Sequence, residues 1–119
     1  MSGNPLERIS IIQGIAGDIL SRIEILPTDN PNYIKLKISF ANEDILHLRE
    51  AWSGDNLKRY AYYWLQSDNT LKIGWDNAPH HPKIKTHPHH KHFEQQSNVH
   101  ASDEKTLEAV LEFIRDALL

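Results

Sequence analysis

From Leu20 to Asp76 the chain alternates apolar and polar residues with a period of two, and the interruptions are short turns. "YIKLKISF" sets Ile34, Leu36 and Ile38 against Lys35 and Lys37, and "EDILHLREAW" sets Leu46, Leu48 and Glu50 against Ile45, His47 and Arg49. Upstream, "SRIEILPT" puts Ile23 and Ile25 on one face. Downstream, the aromatic run "LKRYAYYWLQ" leads into "LKIGWD", where Leu71, Ile73 and Trp75 share a face. Asp29-Asn30-Pro31, "SGDN" and "SDNT" are turn sequences. Connections this short pair successive strands as an antiparallel meander of about five strands. Either Glu50 or Arg49 must then face inward, and a buried charge needs a partner.

Helical patterns flank this region. Asn4 as cap, Pro5 at the first position and Glu7 in the first turn open a helix over 5–16, with Ile9, Ile12 and Ile15 or Ala16 as its stripe. Gly14 and Gly17 end it. At the other end Ser102 is the expected cap, Asp103 and Glu104 fill the first turn, and Leu107, Val110, Leu111, Ile114 and Leu118 trace a buried stripe. Between sheet and final helix, residues 77–98 lose periodicity and hold no glycine; Pro79, Pro82 and Pro88 keep the backbone extended. An ordered loop of about 20 residues in a small domain points to function. The expected fold is α+β, with a helix, a meander sheet, an ordered Pro/His-rich loop and a C-terminal helix packed on the sheet. It forms a single domain over 1–119.

Bulk properties narrow the function classes. The 119 residues are 39% hydrophobic and 24% charged, which excludes wholesale disorder. A formal charge of −3 leaves no global basic footprint, so nucleic-acid binding must rest on a local patch. The absence of cysteine excludes disulfides, thiolate metal sites and thiol nucleophiles. No apolar run approaches the roughly 18–20 residues that span a bilayer, and "MSGNPLERIS" has no secretory signal pattern. The expected location is the cytoplasm.

Chemistry concentrates in "WDNAPHHPKIKTHPHHKH", residues 75–92, which holds six of the eight histidines and three of the six prolines. Three readings compete. Imidazole is the commonest metal ligand, and in an extended chain His87 and His89 share one face while His90 and His92 share the other. A third ligand would then come from His81, Asp76 or Glu50. Alternatively, cleavage of RNA by its own 2′-hydroxyl needs a base, an acid and positive charge on the phosphate, but no metal. Histidine suits both proton transfers, Arg59, Lys83, Lys85 and Lys91 supply charge, and "RYAYYW" offers rings for unstacked bases. Third, the imidazoles can simply be solvated on a rigid loop, with Tyr60 to Trp64 as sheet core.

The combination of "RYAYYW", "WDNAPHHP" and "THPHHKH", followed by a polar stretch and a terminal helix, resembles the TumE family. These are the toxin halves of two-gene bacterial and archaeal toxin–antitoxin modules. Residues 59–92 carry the resemblance, and the first ~50 residues match only in outline. The motif positions that carry over are Arg59, Tyr60, Asp76, Asn77, Pro79, His80, His81, Pro82, His87, Pro88, His89, His90, Lys91 and His92. The resemblance implies growth arrest, a cognate antitoxin (often a helix-turn-helix protein) and ribonuclease activity. The layout is also similar to the barnase/RelE-like architecture, a fold-level analogy.

The resulting expectation is a metal-independent endoribonuclease toxin without cofactor. His81 and His90 are its proton-transfer pair, Arg59 and Lys91 hold the phosphate, and Glu50 orients them or serves as alternate base. Tyr60, Asp76, Asn77, His80, His87, His89 and His92 contact substrate, with Tyr60 stacking or hydrogen-bonding. The alternatives are a toxin or hydrolase with histidine-bound metal, and an interaction module that docks through the loop without chemistry. RNA and the antitoxin are the expected partners, a membrane is not, and homodimerisation stays open. Trp52 and Trp64 are candidate anchors for a partner if they lie on an open sheet face.

Overall fold

A computed structural model describes residues 3–119. Helix α1 (Pro5–Ala16) starts as its sequence dictates: the Asn4 side chain accepts from the Leu6 amide at 2.8 Å, and Pro5 follows. Gly14 lies within the helix, and Gly17 caps it in an ordinary right-handed conformation. The strands are β1 (Leu20–Ile25), β2 (Tyr33–Phe40), β3 (Ile45–Ser53), β4 (Asn56–Leu65), β5 (Leu71–Asp76), β6 (His90–Phe93) and β7 (Val99–Ala101). They form one antiparallel sheet in sequential order, so every hydrogen-bonded neighbour is also a neighbour in the chain.

The sheet has seven strands, two more than the alternation predicts. Segment 90–93 does alternate in burial, but its inward positions on one face are His90 and His92, which an apolar count overlooks. The expected loop over 77–98 is therefore two shorter connections, 77–89 and 94–98. Helix α2 (Leu107–Leu118) begins later than expected. Thr106 caps it through the Ala109 amide at 3.1 Å, while the fully buried Ser102 donates to the Glu104 carbonyl and takes no part in the helix.

Both helices pack on one side of the sheet. Their buried residues Ile12, Ala16, Leu107, Val110, Leu111 and Ile114 join the even positions of β2, β3 and β4 and the odd positions of β5 in one core. Trp75, fully buried, meets Phe113 edge-on with centroids 5.7 Å apart. Trp52 and Trp64 belong to this core at 8% and 2% exposure, so the expectation of partner anchors on an open face is corrected; alternation turns both rings toward the helices.

The core also contains a charge. Glu50 follows Leu46 and Leu48 to the helix side, where its side chain is 0% exposed. Arg8 of α1 reaches it at 2.7 Å, Trp52 Nε1 donates at 3.1 Å, and the Tyr62 hydroxyl donates to the same carboxylate. Burial, then the Glu50 charge, pushes the Tyr62 hydroxyl well above the ordinary tyrosine range, which keeps it a donor. Arg8 also lies 5.2 Å from the Trp52 ring. This pair ties α1 to the middle of the sheet.

The other face carries the odd positions of β2 and β3 and no helix. There His47 pairs across strands with Lys37 and Tyr63. Burial, then the positive charges of Lys37 and Arg49, holds its imidazole below the usual histidine range.

Two outcomes follow from these placements. Glu50→Ala strands the Arg8 guanidinium and lowers unfolding free energy by about 3–5 kcal/mol, and Glu50→Gln, which keeps the shape, costs less; urea denaturation measures both. For His47 the unfolded chain takes up a proton near the ordinary histidine value of about 6.5 that the folded chain resists, so stability falls as pH drops through that value toward the lower folded one. His47→Gln therefore loses less of its urea midpoint than the parent chain between about pH 7 and pH 5.

Candidate functional site on the helix-free face

The site is assembled where β5 ends and β6 begins. Asp76, the last residue of β5, stands opposite His90 in the ladder, and Gly74 stands opposite His92. A two-residue spacing returns both imidazoles to the same face as the Asp76 carboxylate. Asp76 Oδ1 lies 2.8 Å from His90 Nε2, and Oδ2 lies 3.2 Å from His92 Nε2. All three side chains are buried, and the two rings stand 4.9 Å apart at a steep angle. Carboxylate and imidazole are metal-ligand types, and these three offer ligand atoms within 4.8 Å of one another.

The loop after β5 shapes the rest. Asp76 Oδ1 also accepts the Ala78 amide at 3.0 Å, which turns the chain over the cluster. His81 arrives edge-on, its ring 4.8 Å from His90 and 6.2 Å from His92. It is half-buried; its carbonyl accepts the Ile84 amide at 3.1 Å, while its imidazole makes no hydrogen bond among the described residues. Desolvation, then the neighbouring His90 and His92, lowers its affinity for a proton. His90 and His92 are anchored from behind: their Nδ1 atoms lie 2.9 Å from the Pro88 carbonyl and 2.8 Å from the Gln96 carbonyl.

Gly74 serves this arrangement through its missing side chain. A Cβ there would stand 2.6 Å from the Tyr63 ring, so only glycine lets that ring lie across the strand. The Tyr63 hydroxyl ends 3.4 Å from Asp76 Oδ2, a marginal contact. Burial, then the Asp76 charge, holds this phenol above its ordinary range and keeps its proton on.

A cleft of about 510 Å³ opens beside the cluster, with Asp76 and Tyr63 in its wall and Lys35, Arg49 and Arg59 along it. Lys35 of β2 stands opposite Arg49 of β3, and Arg59 of β4 stands opposite Ala51, two residues further along β3. Tyr33, 49% exposed, lies at its rim. Three cations therefore gather along one cleft on a chain of net charge −3, and Asp29, Glu50 and Asp76 share its lining.

The expected site residues divide between the two sides. Asp76, His81, His90, His92 and Arg59 share the helix-free face or its cleft. Glu50 borders the cleft too, but its carboxylate is 0% exposed beneath α1, where Arg8 binds it. Lys91 also points to the helix side, 2.8 Å from Glu104, because it falls between His90 and His92 in an alternating strand. Tyr60 is 4% exposed, stacked on Tyr62 at 4.9 Å, and bonded to His89 Nδ1 at 2.7 Å, an internal contact in place of a base platform. Burial, then Lys105 and His90, lowers the proton affinity of His89. Asn77 is spent on structure, accepting from the Tyr60 amide at 2.8 Å and donating to the Lys58 carbonyl at 3.1 Å. His80 and His87 are exposed on the loop. Lys35, Arg49 and Tyr63 were not singled out from sequence; their signal was the phase of the alternation, which puts all three on the face shared by Asp76.

Among the described residues no helix is long and apolar enough to cross a membrane. Comparison with curated proteins and with solved structures finds no match. The family model for toxin TumE does match, over residues 13–118, which include every residue of the cluster and cleft. The chain belongs to the TumE toxin family.

Proposed function

We propose that this toxin is an endoribonuclease whose working surface is the helix-free face of the sheet. The observation that carries this reading is the junction of a cleft lined by Lys35, Arg49 and Arg59 with an imidazole cluster at its end. Lys35 opposite Arg49, with Arg59 two residues along, offers positive charge to a phosphate backbone, and arginine binds phosphate with paired donors. RNA carries its own nucleophile, so the protein has only to move two protons and stabilise charge.

In this reading His81 accepts the proton of the 2′-hydroxyl as that oxygen attacks the phosphorus. The bond to the 5′-oxygen breaks, and Tyr63, which keeps its proton, supplies the hydrogen that the leaving oxygen needs. Arg49 and Arg59 hold the non-bridging oxygens. The products are a 2′,3′-cyclic phosphate and a 5′-hydroxyl. His90 replaces neither partner directly, because both its ring nitrogens are engaged, by Asp76 and by the Pro88 carbonyl. It sets the position of His81.

A toxin of this family has an antitoxin partner. Neutralisation by burial requires covering about 800 Å² on each side. Tyr33, exposed at the rim of the cleft, is the aromatic anchor this face offers in place of Trp52 and Trp64. A helix-turn-helix antitoxin docking there would block RNA and toxin together.

The test uses purified chain and a labelled single-stranded RNA. Cleavage should leave cyclic phosphate ends, spare the DNA of the same sequence, and fall by about 10²–10⁴ in His81→Ala. Arg49→Ala should weaken RNA binding and reduce the slope of log affinity against log salt by roughly 0.7. RNA that stays intact while an inducible strain arrests would overturn the reading, as would undiminished toxicity of His81→Ala.

A further inference from the structure

The two buried imidazoles pose a problem that hydrogen bonds alone do not solve. His90 Nδ1 faces the Pro88 carbonyl at 2.9 Å, and His92 Nδ1 faces the Gln96 carbonyl at 2.8 Å. A carbonyl oxygen can only accept, so each Nδ1 carries the hydrogen. In a neutral ring the opposite nitrogen, Nε2, is then a bare lone pair. Yet both Nε2 atoms are aimed at oxygens of one carboxylate, at 2.8 and 3.2 Å. Lone pairs facing lone pairs repel. Protonating both rings would remove that repulsion, but it would bury two positive rings 4.9 Å apart around a single negative charge, with His81 4.8 Å from one of them.

A cation between the three groups satisfies all of them at once. We propose that Asp76, His90 and His92 form a binding site for a first-row divalent transition-metal ion. Ligand atoms about 2.0–2.2 Å from a zinc-like ion stand roughly 2.8–3.6 Å from one another at octahedral or tetrahedral angles. The observed Nε2–oxygen separations of 2.8 and 3.2 Å fall within that range, and the three ligand atoms lie within 4.8 Å of one another. Each ligating imidazole already donates its other nitrogen to a backbone carbonyl, the support that fixes ring orientation and tautomer in metal sites.

The donor set selects the class of ion. Two imidazoles and a carboxylate suit Zn²⁺, Mn²⁺, Fe²⁺ or Ni²⁺, and not Mg²⁺ or Ca²⁺, which prefer oxygen throughout. Three protein ligands from two adjacent strands leave the remaining positions open. They open toward the side where His81 stands and where Asp76 meets the cleft. A phosphate oxygen placed there would complete the coordination; this role rests on the ribonuclease reading, whereas the binding of the ion does not. The metal-independent reaction expected from sequence would then give way to one in which the ion shares the phosphate charge with Arg49 and Arg59.

The experiment is equilibrium dialysis of the untagged full chain against Zn²⁺, Mn²⁺ or Mg²⁺, read by elemental analysis and thermal denaturation. One Zn²⁺ or Mn²⁺ per chain with a raised melting temperature, and no Mg²⁺ at the same concentration, is the expected result. Asp76→Asn and His92→Gln should each weaken binding at least tenfold, and His100→Gln should leave the stoichiometry unchanged. Because the buried variants can lose their fold, nitrogen NMR of the parent chain during Zn²⁺ titration gives a second readout, with His90 and His92 Nε2 shifting together. Uptake equal in all variants, or Nε2 signals of His90 and His92 that do not move, overturns the site. One ion per chain with RNA left intact supports the site and removes the ribonuclease reading. RNA cleavage by a chain that takes up no ion removes the site and keeps that reading.

Discussion

One carboxylate holds the working end of this sheet together. Asp76 terminates β5, accepts the Ala78 amide that turns the loop back, and lies within 2.8 and 3.2 Å of two imidazoles from β6. Without a partner of this kind, His90 and His92 would have no reason to point inward, and β6 would lose the pairing that places it. His81 from the loop closes over the same group, its ring 4.8 Å from His90.

The sheet separates two polar clusters that alternation keeps within one residue of each other. On β3, Glu50 turns to the helices and Arg49 to the cleft; on β6, Lys91 turns to the helices between two histidines that turn away. The Arg8–Glu50 pair on one side fastens α1 and is sealed from water. The Asp76 cluster on the other side borders a cleft open to solvent. The apolar core and the Asp76 cluster thus occupy opposite faces of the same strands, so the side chains of Arg49 and Lys35 point away from the core.

Much of this was legible in the sequence, and the failures have physical causes. Helix α1 and strands β2 to β5 declare themselves through Asn4-Pro5 and through apolar residues at every second position. Strand β6 does not, because its buried side chains are histidines and its burial is polar. Ser102 reads as a cap, yet its hydroxyl bonds the Glu104 carbonyl and Thr106 takes the role. In the site, motif residues identify the cluster but not its members: His90 and His92 are ligand-like, while Lys91, between them, belongs to Glu104. Glu50 shows the limit most clearly. An inward charge on a strand looks catalytic from sequence, and only the position of Arg8, 42 residues away, reveals a structural pair.

The sequential strand order has a consequence for how a cell makes such a chain. Every strand pairs with the one before it, so hairpins can close as the nascent polypeptide leaves the ribosome, amino terminus first. The imidazoles of β6 emerge late and have no strand to pair with until β5 is already in the ladder. A translation product that stops before residue 90 would carry the Asp76 carboxylate without either of the imidazoles that face it. The polar cluster is thus completed only after the greater part of the sheet is in place.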